Sequence, residues 1–214
     1  VIKRITLLRR KEDISDAAFR KHWAEPHAEI AKGFEGMEGY NQNRVDAIFW
    51  QTGEIPFHVD GIVELWFASQ ETVDRNAVSE TTKALIADEP RFLAGLTGLT
   101  VGEAEMNRPM DPTGKLMVLA CTRDVEGLRN AIEAALSGAD HGLHRHCVIE
   151  PLAPGFTREL LWSEPTPPNM AVTVRIAADG ANDIAVSRGS GLHDAFASHS
   201  DAATAYVIDE LRIV

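Results

Sequence analysis

Apolar and polar positions follow two rhythms along this chain, one of period two and one of about 3.6, and the switches between them mark its elements. Residues 2–9 are apolar and β-branched enough for a buried strand. Residues 15–32 change to helical spacing. Phe19, Trp23, His27, Ile30 and Phe34 fall on one stripe, with an imidazole in its middle. Ser15 is a good N-cap, Asp16 suits the positive end of the helix dipole, and Ile14 with Phe19 fits a hydrophobic staple. Gly33 is a natural stop. Pro26 removes one N–H and leaves the His22 carbonyl without its helical donor, so a kink is predicted there. Met37 to Ile48 reads as a strand and 49–59 as a loop. Asp60-Gly61 is a turn signal, and Ile62–Phe67 is a strand. Residues 70–94 are helical but broken at Pro90, and 96–105 form a strand. The order strand-helix-strand-strand-helix-strand is that of a ferredoxin-like module, with both helices on one face of an antiparallel sheet.

Residues 106–114 hold two prolines and a glycine among polar residues and read as a linker. The order then repeats. Strands are predicted at Lys115–Thr122, Leu143–Glu150, Ala171–Ala177 and Thr204–Val214. Helices are predicted at Asp124–Leu136 and Asp183–His199, and residues 151–169 form a long loop with five of the ten prolines. The predicted organisation is a module at 1–105, the linker, and a second module at 115–214. Each sheet would leave one apolar face bare, and packing the two faces together hides both. The fold class is therefore α+β: two tandem ferredoxin-like (βαββαβ) modules packed sheet to sheet as an intramolecular barrel.

Composition narrows the partners. The 214 residues are 44% hydrophobic and 25% charged, which is ordinary for a globular protein. A net charge of −11 repels phosphate backbones and anionic membranes, so no nucleic-acid or membrane partner is expected. No apolar stretch approaches the ~18 residues of a membrane span. The chain opens directly into a strand pattern, without the look of a signal peptide. Two distant cysteines, Cys121 and Cys147, read as free thiols in a reducing cytoplasm. A small-molecule ligand is the expected partner. Outer strand edges leave room for a homodimer of pseudo-dimers.

Candidate chemistry centres on His27. A neutral imidazole against an apolar wall has a lowered pKa and can take a proton near neutral pH. His22 lies about 140° away around an ideal helix, which places it on the surface and not in a metal pair. Tyr40 could donate to a carbonyl or phenolate. Asn43 has the opposite strand parity, so in a regular strand only one of the two faces His27. Glu64 and Trp66 share a face with Ile62; Glu64 reads as a second acid/base group or as an ion pair across the barrel. Phe19, Trp23 and Trp66 are expected to line the pocket. His141, His144 and His146 resemble a metal tract, but no further ligand is placed, so no metal is predicted. No P-loop, dinucleotide fingerprint or Gly-x-Ser-x-Gly elbow is present, and no cofactor is expected.

Four motifs in order resemble the EthD-like family of dimeric α+β barrel proteins. They are Phe19-Arg20-x-x-Trp23-x-x-x-His27-Ala28, Tyr40-x-x-Asn43, Asp60-Gly61-x-x-Glu64-Leu65-Trp66-Phe67 and Ala87-Asp88-Glu89-x-Arg91-Phe92-Leu93. The resemblance covers residues 2–105; residues 115–214 share the fold pattern but not the motifs. It implies the same barrel. It also implies an activity of the kind its relatives show: cofactor-free isomerases, cyclases, dehydratases and monooxygenases, several with a histidine matching His27 and some with a tyrosine matching Tyr40. The expectation is an acid/base enzyme acting on a small aromatic or polyketide-like metabolite, with His27, Tyr40 and Glu64 catalytic and Phe19, Trp23, Asn43 and Trp66 binding. A non-catalytic ligand-binding protein of a catabolic pathway, or a haem-binding barrel, are the alternatives.

Overall fold

The computed structural model describes residues 1–53, 57–106, 114–137, 147–176 and 186–214. In the first half, β1 (Ile2–Arg10) leads into a helix that runs as α1 (Asp16–His22), a π-helical turn (Trp23–His27) and α2 (Ala28–Ala31). β2 (Met37–Thr52), β3 (Gly61–Phe67), α3 (Gln70–Ala77), α4 (Glu80–Asp88), a 3₁₀ turn (Glu89–Arg91) and β4 (Leu93–Glu103) follow. The second half holds β5 (Gly114–Cys121), α5 (Val125–Ser137), β6 (Cys147–Pro151), β7 (Ala153–Pro154), β8 (Met170–Ile176), α6 (Gly191–His199) and β9 (Ala202–Arg212). Most of the predicted linker, the three histidines His141, His144 and His146, and the start of the helix predicted at Asp183 lie outside the described residues.

The strands join in the order β6-β8-β5-β9-β2-β3-β1-β4-β7. Each half keeps the ferredoxin-like order, as β2-β3-β1-β4 and β6-β8-β5-β9. The halves are also stitched edge to edge. β2 and β9 pair antiparallel from Asn41↔Arg212 to Thr52↔Ala203, and β7 pairs with β4 through Leu99↔Pro154 and Thr100↔Ala153. The wall is thus a nearly closed barrel, which removes most of the exposed sheet edge. The same pairing explains why β2 runs past Ile48 into the stretch read as loop: β9 supplies the hydrogen-bond partners for its last turns of pleat.

Strand alternation sorts the side chains into three cores. Ile5, Ile62, Leu99, Met117, Leu119 and Tyr206 fill the barrel interior. Phe19, Trp23, Val63, Phe92 and Leu96 join the first half's helices to the outer face of its sheet. Leu128, Ile132, Val172 and Phe196 do the same for the second half, together with Trp50 from β2. Trp50 therefore crosses the seam, and its Nε1 donates to the Val186 carbonyl at 2.8 Å. One end of the barrel interior is polar. Lys3 pairs with Glu64 and Glu150 at 2.7 Å, Lys115 with Glu64 at 2.6 Å and Glu210 at 2.7 Å, and Arg175 with Glu210. Cys121 and Cys147 are free thiols on β5 and β6, strands separated by β8.

Candidate active site

The first helix carries the site. Ser15 caps it, its Oγ accepting from the Ala18 N–H at 3.1 Å. Pro26 cannot donate to the His22 carbonyl, and here the backbone answers by widening into a π turn over Trp23–His27. The Trp23 carbonyl in that turn accepts from the Gln42 side chain of β2 at 2.7 Å. Gly61 sits beneath: a Cβ there would come within 2.5 Å of the Trp23 ring, so only glycine lets the helix approach this closely.

The π turn changes which residues are neighbours. His22 and His27, five apart, would diverge on an ideal helix; the wider turn brings both to one aspartate. His22 Nε2 lies 3.0 Å and His27 Nδ1 3.0 Å from Asp88 Oδ2. His22 is therefore not a free surface residue; its ring also stacks on Phe92 at 4.6 Å. His27 meets the edge of the same phenyl at 4.9 Å. Burial resists ionisation of Asp88, but hydrogen bonds from the two histidines outweigh it and hold the carboxyl below its usual range. Asp88 is thus an acceptor, and the His27 proton resides on Nδ1. Burial lowers the His27 pKa below 6.5, partly offset by Asp88. His27 is accordingly neutral at pH 7, with Nε2 the ring nitrogen left to accept a proton.

His27 borders a cavity of about 360 Å³ between the helices and the outer face of the first half's sheet. Its floor includes Arg4, Thr6, Tyr40, Val63 and Leu65, and its roof includes Phe34, Leu85 and Glu89. Tyr40 Oη accepts from Trp23 Nε1 at 3.0 Å and from Gln42 Nε2 at 2.9 Å. Burial pushes its pKa up to about 12, so it stays a phenol with its own proton to give. The second half contributes a wall. After β7 the chain continues along β4: Gly155 N donates to Gly98 O at 2.9 Å, Gly98 N to Phe156 O at 2.9 Å, and Leu96 N to Trp162 O at 2.8 Å. Gly155, Phe156 and Arg158 line the cavity, and Arg158 is clasped to Glu89 at 2.7 Å. A Cβ on Gly98 would lie 2.5 Å from the Phe156 ring, so glycine again permits the contact.

Of the residues singled out from sequence, His27 and Tyr40 meet at this cavity. The others do not line it. Phe19 and Trp23 are fully buried between helix and sheet, where they fix the helix position. Asn43, Glu64 and Trp66 project from the opposite face of β2 and β3 into the barrel, as strand parity requires. Asn43 donates to Glu64 at 2.9 Å, and Lys3 lies over the Trp66 ring at 5.0 Å. Burial opposes the charge on Glu64, yet Lys115 and Lys3 hold its carboxyl far below the normal range. It is an ion-pair partner across the halves, without a path to His27. Asp88, Arg4 and the Glu89–Arg158 clasp escaped sequence reasoning. Asp88 belongs to the motif Ala87-Asp88-Glu89-x-Arg91-Phe92-Leu93, whose spacing gives no sign of a partner on the first helix. Among the described residues no group of three or more His, Cys, Asp or Glu side chains is arranged to hold a metal ion.

Residues 11–95 match the family model of the EthD domain. No curated protein matches the sequence. Among solved structures, an anthrone oxidase-like protein superimposes with a TM-score of 0.54 at 11% identity, covering 99% of this chain and 93% of that one. A dye-decolorizing protein from V. cholerae gives 0.50 at 10% identity, covering 97% and 93%. An EthD family protein from Bacillus halodurans C-125 is 20% identical over 49% of this chain and 98% of its own, with a TM-score of 0.35. At these identities the full-length neighbours share the fold.

Proposed function

We propose, on the match of residues 11–95 to the EthD domain, that the protein is a cofactor-independent acid/base enzyme for a small aromatic or polyketide-like carbon skeleton. One observation carries the reading: His27 is held by Asp88 through Nδ1, is neutral at pH 7, and borders a largely apolar cavity. This is the arrangement of a general base whose tautomer is set by a carboxylate. Nε2 removes a proton from a carbon next to a carbonyl, giving an enolate and an imidazolium. The Tyr40 hydroxyl donates to the developing oxyanion. The imidazolium then returns the proton to carbon or to a leaving oxygen, so no oxidant is consumed. The cavity lies near the lower end of the ~300–1,000 Å³ range of small-molecule sites.

The test uses carbon acids in D₂O, anthrone among them, with loss of the exchangeable C–H signal followed by NMR. The wild type should accelerate exchange of at least one carbon acid. His27→Gln should lose that acceleration while circular dichroism and thermal midpoint stay near wild type. Binding without accelerated exchange would favour a non-catalytic carrier. Unchanged exchange in the variant would reject the mechanism.

A further inference from the structure

Four arginines have a buried Nε with no hydrogen-bond partner: Arg4, Arg10, Arg20 and Arg44. Arg10, Arg20 and Arg44 each ion-pair with an aspartate. The Arg4 side chain makes no ion pair or hydrogen bond with any described residue, and it lines the cavity beside His27. Its neighbours explain the isolation. Arg4, Thr6 and Leu8 share the face of β1 that forms the cavity floor, while Lys3 on the other face takes the barrel carboxylates. Glu89, the carboxylate bordering the cavity, is committed to Arg158 through two bonds at 2.7 and 3.1 Å. Asp88 is committed to the histidines. Burial lowers the Arg4 pKa, opposed only by the charge of Asp74. A guanidinium keeps its proton even so, and its planar fork matches a carboxylate in two-point contact. A half-buried guanidinium without a partner is costly unless something occupies it.

We propose that Arg4 is the anion-recognition residue of this cavity, and that its ligand is an aromatic or polyketide-like carboxylate. The proposal rests on the cavity being the ligand site described above, but not on turnover there. Arg4 lies on the sheet floor and His27 on the helix that forms the roof. A ligand anchored by its carboxylate at Arg4 would present its apolar body to Val63, Leu65 and Phe34. Thr6, next along the same strand face, adds a hydroxyl to the anion site.

The experiment compares two probes of one shape, 2-naphthoate and 2-naphthamide, by isothermal titration calorimetry at pH 7.5 and low salt. The wild type should bind the carboxylate at least about tenfold more tightly than the amide, the size of one charge-assisted contact. Arg4→Met should erase that preference while leaving amide affinity within about twofold, which also certifies the fold. Arg4→Lys should keep a reduced preference. His27→Gln should keep it in full, so unchanged exchange in that variant with the carboxylate preference intact refutes the proton-transfer reading alone. Equal affinity for both probes in the wild type, a preference that survives Arg4→Met, or no binding of either probe at millimolar concentration overturns the assignment of Arg4.

Discussion

Glu64→Gln separates a structural carboxylate from a chemical one. Glu64 is 3% exposed and touches two ammonium groups, Lys3 at 2.7 Å and Lys115 at 2.6 Å, with Asn43 donating as well. In the barrel Lys3, Lys115 and Arg175 face Glu64, Glu150 and Glu210, so charge balances. Glutamine keeps the shape, removes the charge and puts an amide N–H₂ against a cation. One positive charge is left over where water is scarce. Removing one partner of a buried pair costs about 3–5 kcal/mol. At about 2–4 °C per kcal/mol for a chain of this size, the thermal midpoint should fall by roughly 6–20 °C. Urea unfolding followed by tryptophan fluorescence measures the first quantity and calorimetry the second. Carbon-acid exchange per folded molecule should stay near wild type, because Glu64 faces away from His27. Combined with Lys115→Met, the loss should be smaller than the sum of the single losses by about 0.5–3 kcal/mol. A Glu64→Gln protein with stability unchanged and exchange abolished would refute the reasoning.

Further predictions follow the same geometry. Asp88→Asn should cut exchange by about 10²–10⁴-fold, because the amide can turn its N–H₂ toward Nδ1 and select the wrong tautomer; the rate at saturating ligand measures it. The His27 pKa is lowered, so its neutral form persists below pH 6.5. Activity should therefore hold through pH 6.5 and fall only as pH drops through the lowered value; an acid limb centred at or above 6.5 in the kcat/KM profile would contradict this. The same group's contribution to stability is present above 6.5, where both states are neutral, and is lost as pH falls toward the folded value, because the unfolded chain takes the proton first. Gly98→Val should push Phe156 off the cavity mouth, costing about 1–3 kcal/mol in urea unfolding and weakening 2-naphthamide binding.

The barrel was legible because its signals are periodic. The Ser15 cap, the Phe19–Trp23 stripe and the Asp60-Gly61 turn all describe local geometry that the observed elements keep. Strand parity alone separates Tyr40 from Asn43. What sequence could not show depends on contacts between distant segments. Counting 100° per residue put His22 on the surface, because a π turn at Pro26 changes the count midway. Asp88 comes to His27 only when α4 lies beside the first helix. Glu64 and Trp66 shared an apolar face as read, but which face holds a cavity depends on how the layers close. Proline-rich residues 151–169 read as a loop, and nothing local revealed that part of them would run along β4.

The mutual lending at the seam has a consequence for how this protein can change. Trp50 reaches from the first half into the helix layer of the second, and Phe156 reaches back over the cavity of the first. In a symmetric pair of identical chains, any substitution appears on both sides, so a residue good for a site wall must also be tolerable in the matching scaffold position. Two unlike halves on one polypeptide are free of that constraint. Arg158 can be selected for what it does at one mouth alone, and the opposite helix layer can be filled solid without closing a second site.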